Sequence, residues 1–278
     1  MFNDSAVFTA AMGYVYTAPV GAPAPTPEQL KKFDADTFGL PEFSVRVTGT
    51  GKFTLSSKSK TTEQLDAKAS TAAEVQAALN KVVTDAQFVV SGGTGNFNVS
   101  VSAKGEVGAN FLTGTGVGGS APTVAVSRTS EGAVWDPIGH TGVDDLPEFG
   151  YEGGDTESKG TWQKKALKEI TTEAPVDYVT VKALQFDPAT MELYYGKNAS
   201  AEEGVFGVEN PGQNTAEKAV LIVMVDGEFK IGFSAAKASI RRDESISLSG
   251  EDFSTLPLRA TFVKHPGRHL FEWTTPAK

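Results

Sequence analysis

Ala219-Val220-Leu221-Ile222-Val223-Met224-Val225-Asp226-Gly227-Glu228-Phe229-Lys230-Ile231-Gly232-Phe233 is the most informative stretch of this 278-residue chain. An unbroken apolar run reaches Asp226-Gly227, a preferred pair for a tight hairpin turn, and Phe229, Ile231 and Phe233 then alternate with Glu228 and Lys230. The pattern predicts an antiparallel hairpin, the clearest in the sequence. Strand signals continue on both sides of it. Val176 to Phe186, entered through Pro175, is partly apolar on both alternating faces, as expected where one face meets a core and the other a neighbour. Asp187-Pro188 opens a short helix that Gly196 ends after Leu193-Tyr194-Tyr195: Asp caps free amides, Pro fits the first helical position, and Gly stops the turn. Two more strands, Leu258 to Lys264 and His269 to Trp273, flank the turn His265-Pro266-Gly267-Arg268. From Ala133 onward the chain reads as mainly β.

Upstream, Ala6 to Val20 reads as a strand that runs into Pro19 to Pro27, an arm or linker whose prolines forbid a regular helix or central strand. The texture then changes. Phe43 to Val126 is rich in Ser, Thr, Gly, Val and Ala and holds no Trp or Tyr. Residues 41–130 carry 8 Lys and Arg against 6 Asp and Glu, which leaves a net charge of −11 for the remainder. Strands are expected at Ser44 to Thr48, Phe53 to Ser57, Gln87 to Val90, Phe97 to Val101 and Thr123 to Val126. Between them Thr71-Ala72-Ala73-Glu74 is a capping box opening a helix through Val83, with Val75, Ala78, Leu79 and Val82 on one face. The expected organisation is therefore a discontinuous β-rich domain, 1–40 with 131–278, interrupted by a small inserted α+β domain at 41–130.

Composition narrows the chemistry. With 40% hydrophobic and 21% charged residues the chain is a folding sequence, and with no cysteine it has no disulfide scaffold, thiolate nucleophile or cysteine metal site. Met1 to Val20 carries Asp4 and lacks a basic leading segment, which reads as no signal peptide, and no stretch approaches the roughly 18 apolar residues of a membrane span. A net charge of −9 argues against tight wrapping of nucleic acid, whose affinity comes mainly from Lys and Arg displacing phosphate counterions.

The chemistry motifs fail on context. Gly114-Thr115-Gly116-Val117-Gly118-Gly119 has the dinucleotide spacing, but Pro122 and a strand follow where a phosphate-binding helix is required, so it reads as a flexible glycine loop. His265 and His269 flank a turn without an acidic partner between them, and His140 with Asp144, Asp145 and Ser130 lacks a nucleophile elbow. The acid pairs Asp144/Asp145, Glu202/Glu203 and Glu251/Asp252 sit in expected loops and read as solvated or interface acids. Trp135, Trp162, Tyr194, Tyr195 and Trp273 are scattered across elements, which favours packing over a sugar-binding face. No catalytic, cofactor or metal site is expected. In the irregular stretch from Gly142 to Thr156, Leu146, Phe149 and Tyr151 alternate with acids, a pattern suited to docking on another subunit. The candidate contacts are Asp144, Asp145, Leu146, Pro147, Phe149, Tyr151 and Trp162, with Arg241 and Arg242 as ion-pair partners within or between subunits.

Outside the insert the chain resembles the major tail tube proteins of siphophages infecting actinobacteria. The resemblance is carried by Gly139-His140-Thr141, Asp144-Asp145-Leu146-Pro147-Glu148-Phe149, Gly153-Gly154-Asp155-Thr156 and Trp162-Gln163-Lys164-Lys165-Ala166-Leu167. Further on it is carried by Asp177-Tyr178-Val179-Thr180, Leu193-Tyr194-Tyr195-Gly196, Lys237 to Asp243 and Leu256 to Phe262. The Thr-Ala-Ala-Glu-Val-Gln-Ala-Ala-Leu helix of the insert is similar to small modules in tail proteins of such phages. The resemblance implies a β-sandwich or barrel subunit with a flanking helix and a long loop, with copies closed into hexameric rings that stack into a tube. It implies a structural virion protein of the tail, assembled in the host cytoplasm, with an acidic lumen through which DNA passes without specific binding. Its partners would be itself, the tail terminator, the tape measure and the distal tail proteins, with no membrane and no cofactor, and the insert would face outward. Two other classes remain at this point: a secreted or surface β-sandwich module that binds a glycan or protein, and a hydrolase using paired acids.

Overall fold

The computed structural model describes residues 7–103, 107–132, 135–143, 145–209 and 216–275. Its contacts gather into two units, Met1–Lys32 with Trp135–Lys278, and Phe33–Val134.

The first unit begins with strand β1 (Met12–Ala18) and the short helix α1 (Pro27–Lys31). The proline stretch thus ends in a helical turn. Pro27 occupies the first turn, where a missing N–H costs nothing, and Thr26 and Gln29 cap each other's backbone amides. Leu30 is fully buried against Gly232, where an added Cβ would lie 2.9 Å from its Cδ1.

The second unit holds β2 (Glu42–Thr48), β3 (Lys52–Ser57), β4 (Lys60–Thr61), β5 (Leu65–Asp66), α2 (Ala72–Val82), β6 (Ala86–Gly93), β7 (Asn96–Ala103), β8 (Leu112–Val117) and β9 (Thr123–Ser130). They form an antiparallel sheet ordered β6-β7-β2-β9 and a second one, β4-β3-β5, with β8 also on β3. Thr71 caps α2 as expected: its hydroxyl accepts from the Glu74 amide at 3.3 Å, and the Glu74 carboxylate accepts from the Thr71 amide at 2.8 Å. Val75, Ala78 and Leu79 bury the inner face of α2 in a core with Phe43, Phe53 and Phe88.

The glycine loop expected at Gly114 to Gly119 is in fact mostly strand. β8 pairs residue for residue with β3 from Lys52↔Val117 to Ser57↔Leu112. Its glycines admit a close neighbour: a Cβ on Gly114 would sit 2.3 Å from Val124 Cγ1, and one on Gly116 would sit 2.1 Å from the Pro122 carbonyl oxygen. The spacing therefore answers packing of β8 against the segment around β9, not a pyrophosphate.

The chain returns to the first unit with β10 (Asp136–Pro137), β11 (Glu148–Glu152), β12 (Thr156–Lys159), β13 (Lys168–Thr171), β14 (Val176–Ala183), α3 (Pro188–Tyr195), β15 (Ala216–Asp226), β16 (Phe229–Arg242), β17 (Leu256–Phe262) and β18 (Glu272–Thr274). Eight of the unit's strands make one antiparallel sheet, β10-β1-β15-β16-β17-β14-β11 with β18 on β16. Val15 of β1 and Val179 of β14, four strands apart, line the same small apolar cavity with Val220, Ile240, Leu258 and Leu193, so the sheet curls on itself around its core. The fold is mainly β with flanking helices and long loops. Helix α3 sits where Asp187 accepts from the Thr190 amide and Pro188 leads, and it ends at Gly196 with φ of 91°.

The central hairpin differs in one detail from the expected Asp-Gly turn. Asp226 and Phe229 close the ladder, which leaves Gly227 and Glu228 as the two turn residues. Gly227 takes φ of 60° while Glu228 does not go positive, the pattern of a II′ turn. Asp226 instead spends its carboxylate on the Thr9 amide at 3.0 Å.

Candidate assembly surfaces

β11 borders the sheet of the first unit, and its pairing with β14 runs from Glu148↔Thr180 to Glu152↔Val176. It is short and its side chains are mostly exposed, as expected of an edge that must avoid nonspecific pairing. Tyr151 is exposed on it. Phe149 is divided: 41% exposed, it also packs its ring on Phe233 at 4.7 Å and Trp273 at 5.2 Å, so part of it serves the subunit's own core. Leu146, exposed, and Asp145 line a small groove with Glu148, Lys182, Asp243 and Glu244. Asp145 is held by Lys182 at 2.5 Å, and its hydrogen bond raises the lysine pKa against the opposing effect of burial, with Glu244 and Glu148 adding to the field. Pro147 is half-buried. Asp144 lies outside the described residues.

The stretch from Gly142 to Thr156, expected to be irregular, contains strand β11, and its last residue opens a hairpin arm. β12 and β13 pair from Thr156↔Thr171 to Lys159↔Lys168, and every residue from Asp155 to Pro175 is exposed. Trp162 stands at its tip, 100% exposed.

Arg241 and Arg242 are exposed at the end of β16 and close no ion pair with a described residue. The charge centre nearby is one the sequence reading missed, Arg259 on β17. Its guanidinium lies 3.6 Å from the Tyr178 ring centroid, 2.5 Å from Glu152 Oε1 and 3.9 Å from Asp243 Oδ1. The signal was present: Arg259 sits between Leu258 and Ala260 in an apolar strand, where a charge requires a partner. Which partner depended on register, because Arg259 faces Arg241 on one neighbouring strand and Thr180 on the other.

The Arg259 guanidinium beside Glu152 holds its carboxyl below the usual glutamate range, opposed by burial and assisted by Arg241. A depressed folded-state pKa contributes stability above the unfolded glutamate value and loses it as pH falls through the folded value. The Glu152 carboxyl carbon, followed by NMR, is expected to titrate below a free glutamate and to return to the ordinary range in Arg259→Gln; an unshifted midpoint in the parent would refute the pairing.

Other chemical candidates do not converge. Among the described residues no group of three or more His, Cys, Asp or Glu can hold a metal. Glu202, Glu203, Glu251 and Asp252 are exposed, Trp135 is buried in the core, and Tyr194 and Tyr195 meet edge to face at 4.7 Å. What the first unit offers is a sheet border, an exposed arm and acidic loops. A family model described as phage tail tube protein matches residues 1–89 and 98–278.

The chain belongs to this family. The major tail protein Gp23 of Mycobacterium phage L5 and that of Mycobacterium phage D29 are each 50% identical to it over 165 residues, which span 56% of this chain and 82% of the relative. The same stretch fills a larger share of those proteins, so they are shorter than this tail tube protein. Membership makes it a structural protein of the virion tail and not an enzyme.

Proposed function

We propose that identical copies of this tail tube protein close into hexameric rings through their sheet borders, and that the rings stack into the conduit for genome DNA. The observation that carries this reading is the sheet with two open ends: β11 borders one side with no strand beyond it among the described residues, and the two-residue β10 borders the other. Joining β11 of one copy to the opposite border of the next satisfies the backbone groups of both, and a rotation that repeats this contact closes a ring without leftover edges. Ring stacking then uses the region 142–172, with Leu146, Tyr151 and Trp162 exposed for it. The acidity outside residues 41–130 keeps the lumen repulsive to phosphate, so DNA slides through. Subunits assemble in the host cytoplasm and meet the tail terminator, tape measure and distal tail proteins at the tube ends and interior.

Residues 41–130 form an outward decoration on this reading. Every large apolar side chain that is exposed among the described residues belongs to the first unit, and none to Phe33–Val134, the surface of a module that covers nothing. Excision is geometrically mild, since Glu42 and Ser130 are register partners in adjacent strands, roughly 5 Å apart. Negative-stain microscopy of the full chain and of a chain lacking residues 41–130, each with and without a tail-tip extract as seed, is expected to show hollow filaments or six-fold rings in both. A full chain that stays monomeric under all conditions and is absent from virion tails would overturn the reading; loss of assembly only in the shortened chain would overturn the decoration role.

A further inference from the structure

Two protrusions of the first unit are unlike the rest of its surface. The arm Gly153–Ala174 is segregated in charge: Lys159, Lys164, Lys165 and Lys168 occupy its distal half without an acid, while Asp155, Glu157, Glu169 and Glu173 stand at its base. Lys159 is neutralised by Glu157 at 2.6 Å, but Lys164, Lys165 and Lys168 close no ion pair with a described residue. The turn is held by reciprocal backbone bonds between Thr161 and Lys164, which presents Trp162 fully to solvent beside half-exposed Leu167. A two-stranded hairpin with no buried residue has little to stabilise it within its own chain.

The second protrusion is the β16–β17 loop, Asp243–Thr255. It contains Asp243, Glu244, Glu251 and Asp252 and no Lys or Arg, and it exposes Leu248 and Phe253, 78% and 80% accessible. Register places the two at opposite ends of the same strands. The arm leaves the sheet at Glu152↔Val176, whereas the acidic loop joins it at Ala183↔Leu256. The eight residues of β14 separate these ends by about 23 Å.

We propose that the basic, Trp-tipped arm of one copy docks on the acidic loop of a second copy, with Trp162 packing against Leu248 and Phe253 and the tip lysines facing Glu251 and Asp252. This inference rests on the stacked-tube reading and names the acceptor for its arm. Because donor and acceptor lie at opposite ends of one sheet's strands, the contact is head-to-tail, and repeating it extends a stack instead of closing a pair. The charges also set polarity: in a reversed stack arm would meet arm, or acid loop would meet acid loop, and like charges repel. An aromatic anchor surrounded by opposite charge is the arrangement that concentrates binding energy at interfaces, while the exposed ion pairs guide approach more than they add affinity.

Charge exchange tests it. Lys164→Glu with Lys165→Glu in the arm, or Glu251→Lys with Asp252→Lys in the loop, is expected to cut filament yield at least tenfold by light scattering, leaving single rings or free subunits. All four changes in one chain are expected to restore filaments, a rescue that mere damage to either loop would not produce. Since the chain has no cysteine, Gln163→Cys with Leu248→Cys supplies a second test: mild oxidation of assembled tubes should give a covalent ladder of subunits. Reversals that assemble like the parent, an unrescued fourfold variant, or an oxidised sample without the ladder would each overturn the pairing. In all those cases a parent chain that still forms tubes leaves the tube reading intact, whereas a parent that never assembles and is missing from virions removes that reading itself.

Discussion

Phe233→Ala is expected to destabilise the first unit by about 3–5 kcal/mol, the usual cost of truncating a fully buried phenylalanine. Phe233 is 1% exposed, and its ring meets Phe149 at 4.7 Å, Trp273 at 4.9 Å, Phe262 at 5.1 Å and Phe271 at 5.6 Å. These partners arrive from β11, β17, β18 and the segment before β18, so little nearby can shift to fill the void without breaking ladder pairs. Against a total of about 5–15 kcal/mol for an ordinary domain, the loss is a large fraction. Urea denaturation followed by tryptophan fluorescence, which reports on Trp273 in the cluster, measures it. The variant should also assemble poorly, because Phe149 on the border strand loses its inner support. A shift under about 1 kcal/mol would show that the cluster collapses around the change more readily than its geometry indicates.

Gly116→Ala is expected to cost the second unit about 3 kcal/mol, at the upper end of the usual range for overpacking. The added methyl would start 2.1 Å from a backbone carbonyl, that of Pro122, and 3.1 Å from both the Pro122 nitrogen and the Ala121 Cβ. A flexible side chain can rotate away from such a contact, but a carbonyl beside a proline cannot move without displacing β9. The readout is limited proteolysis: cuts are expected to concentrate within Phe33–Val134 while fragments of the other unit persist. Tube formation by this variant would agree with an outward insert. Unchanged protease resistance would mean that the segment around Pro122 yields, and that the close approach of β8 is not required.

The two substitutions fall on features that differed in how far the sequence disclosed them. The run from Ala219 to Phe233 was legible as a hairpin because alternation and a turn pair act within a few residues. The helix at Ala72–Val82 was legible for the same reason, since a capping box closes between residues three apart. Gly116 was misread as part of a flexible loop. Nothing within its neighbourhood in sequence reveals that β3, about sixty residues earlier, pairs with it, and glycine carries no side-chain signal of burial. Among the candidate contacts, Tyr151 was legible as an apolar residue in acidic company and Trp162 only as one of several scattered aromatics, and both stand exposed. Phe149 was read as a surface contact alone, and its second role appears only when β18 places Trp273 beside it.

Local chemistry settled what depends on neighbours along the chain: the alternating strands, the helix caps at Thr71 and Asp187, the absence of thiol chemistry, and the change of texture across residues 41–130. Folding alone decided the rest. Arg259 faces Glu152 and Tyr178, and the arm and the acidic loop fall at opposite ends of β14, because strand order and register bring together residues that are far apart in sequence, Arg259 and Glu152 by more than a hundred positions. Backbone pairing sets those distances, and a one-residue slip would turn every side chain of a strand to the other face, which no property of a single residue encodes.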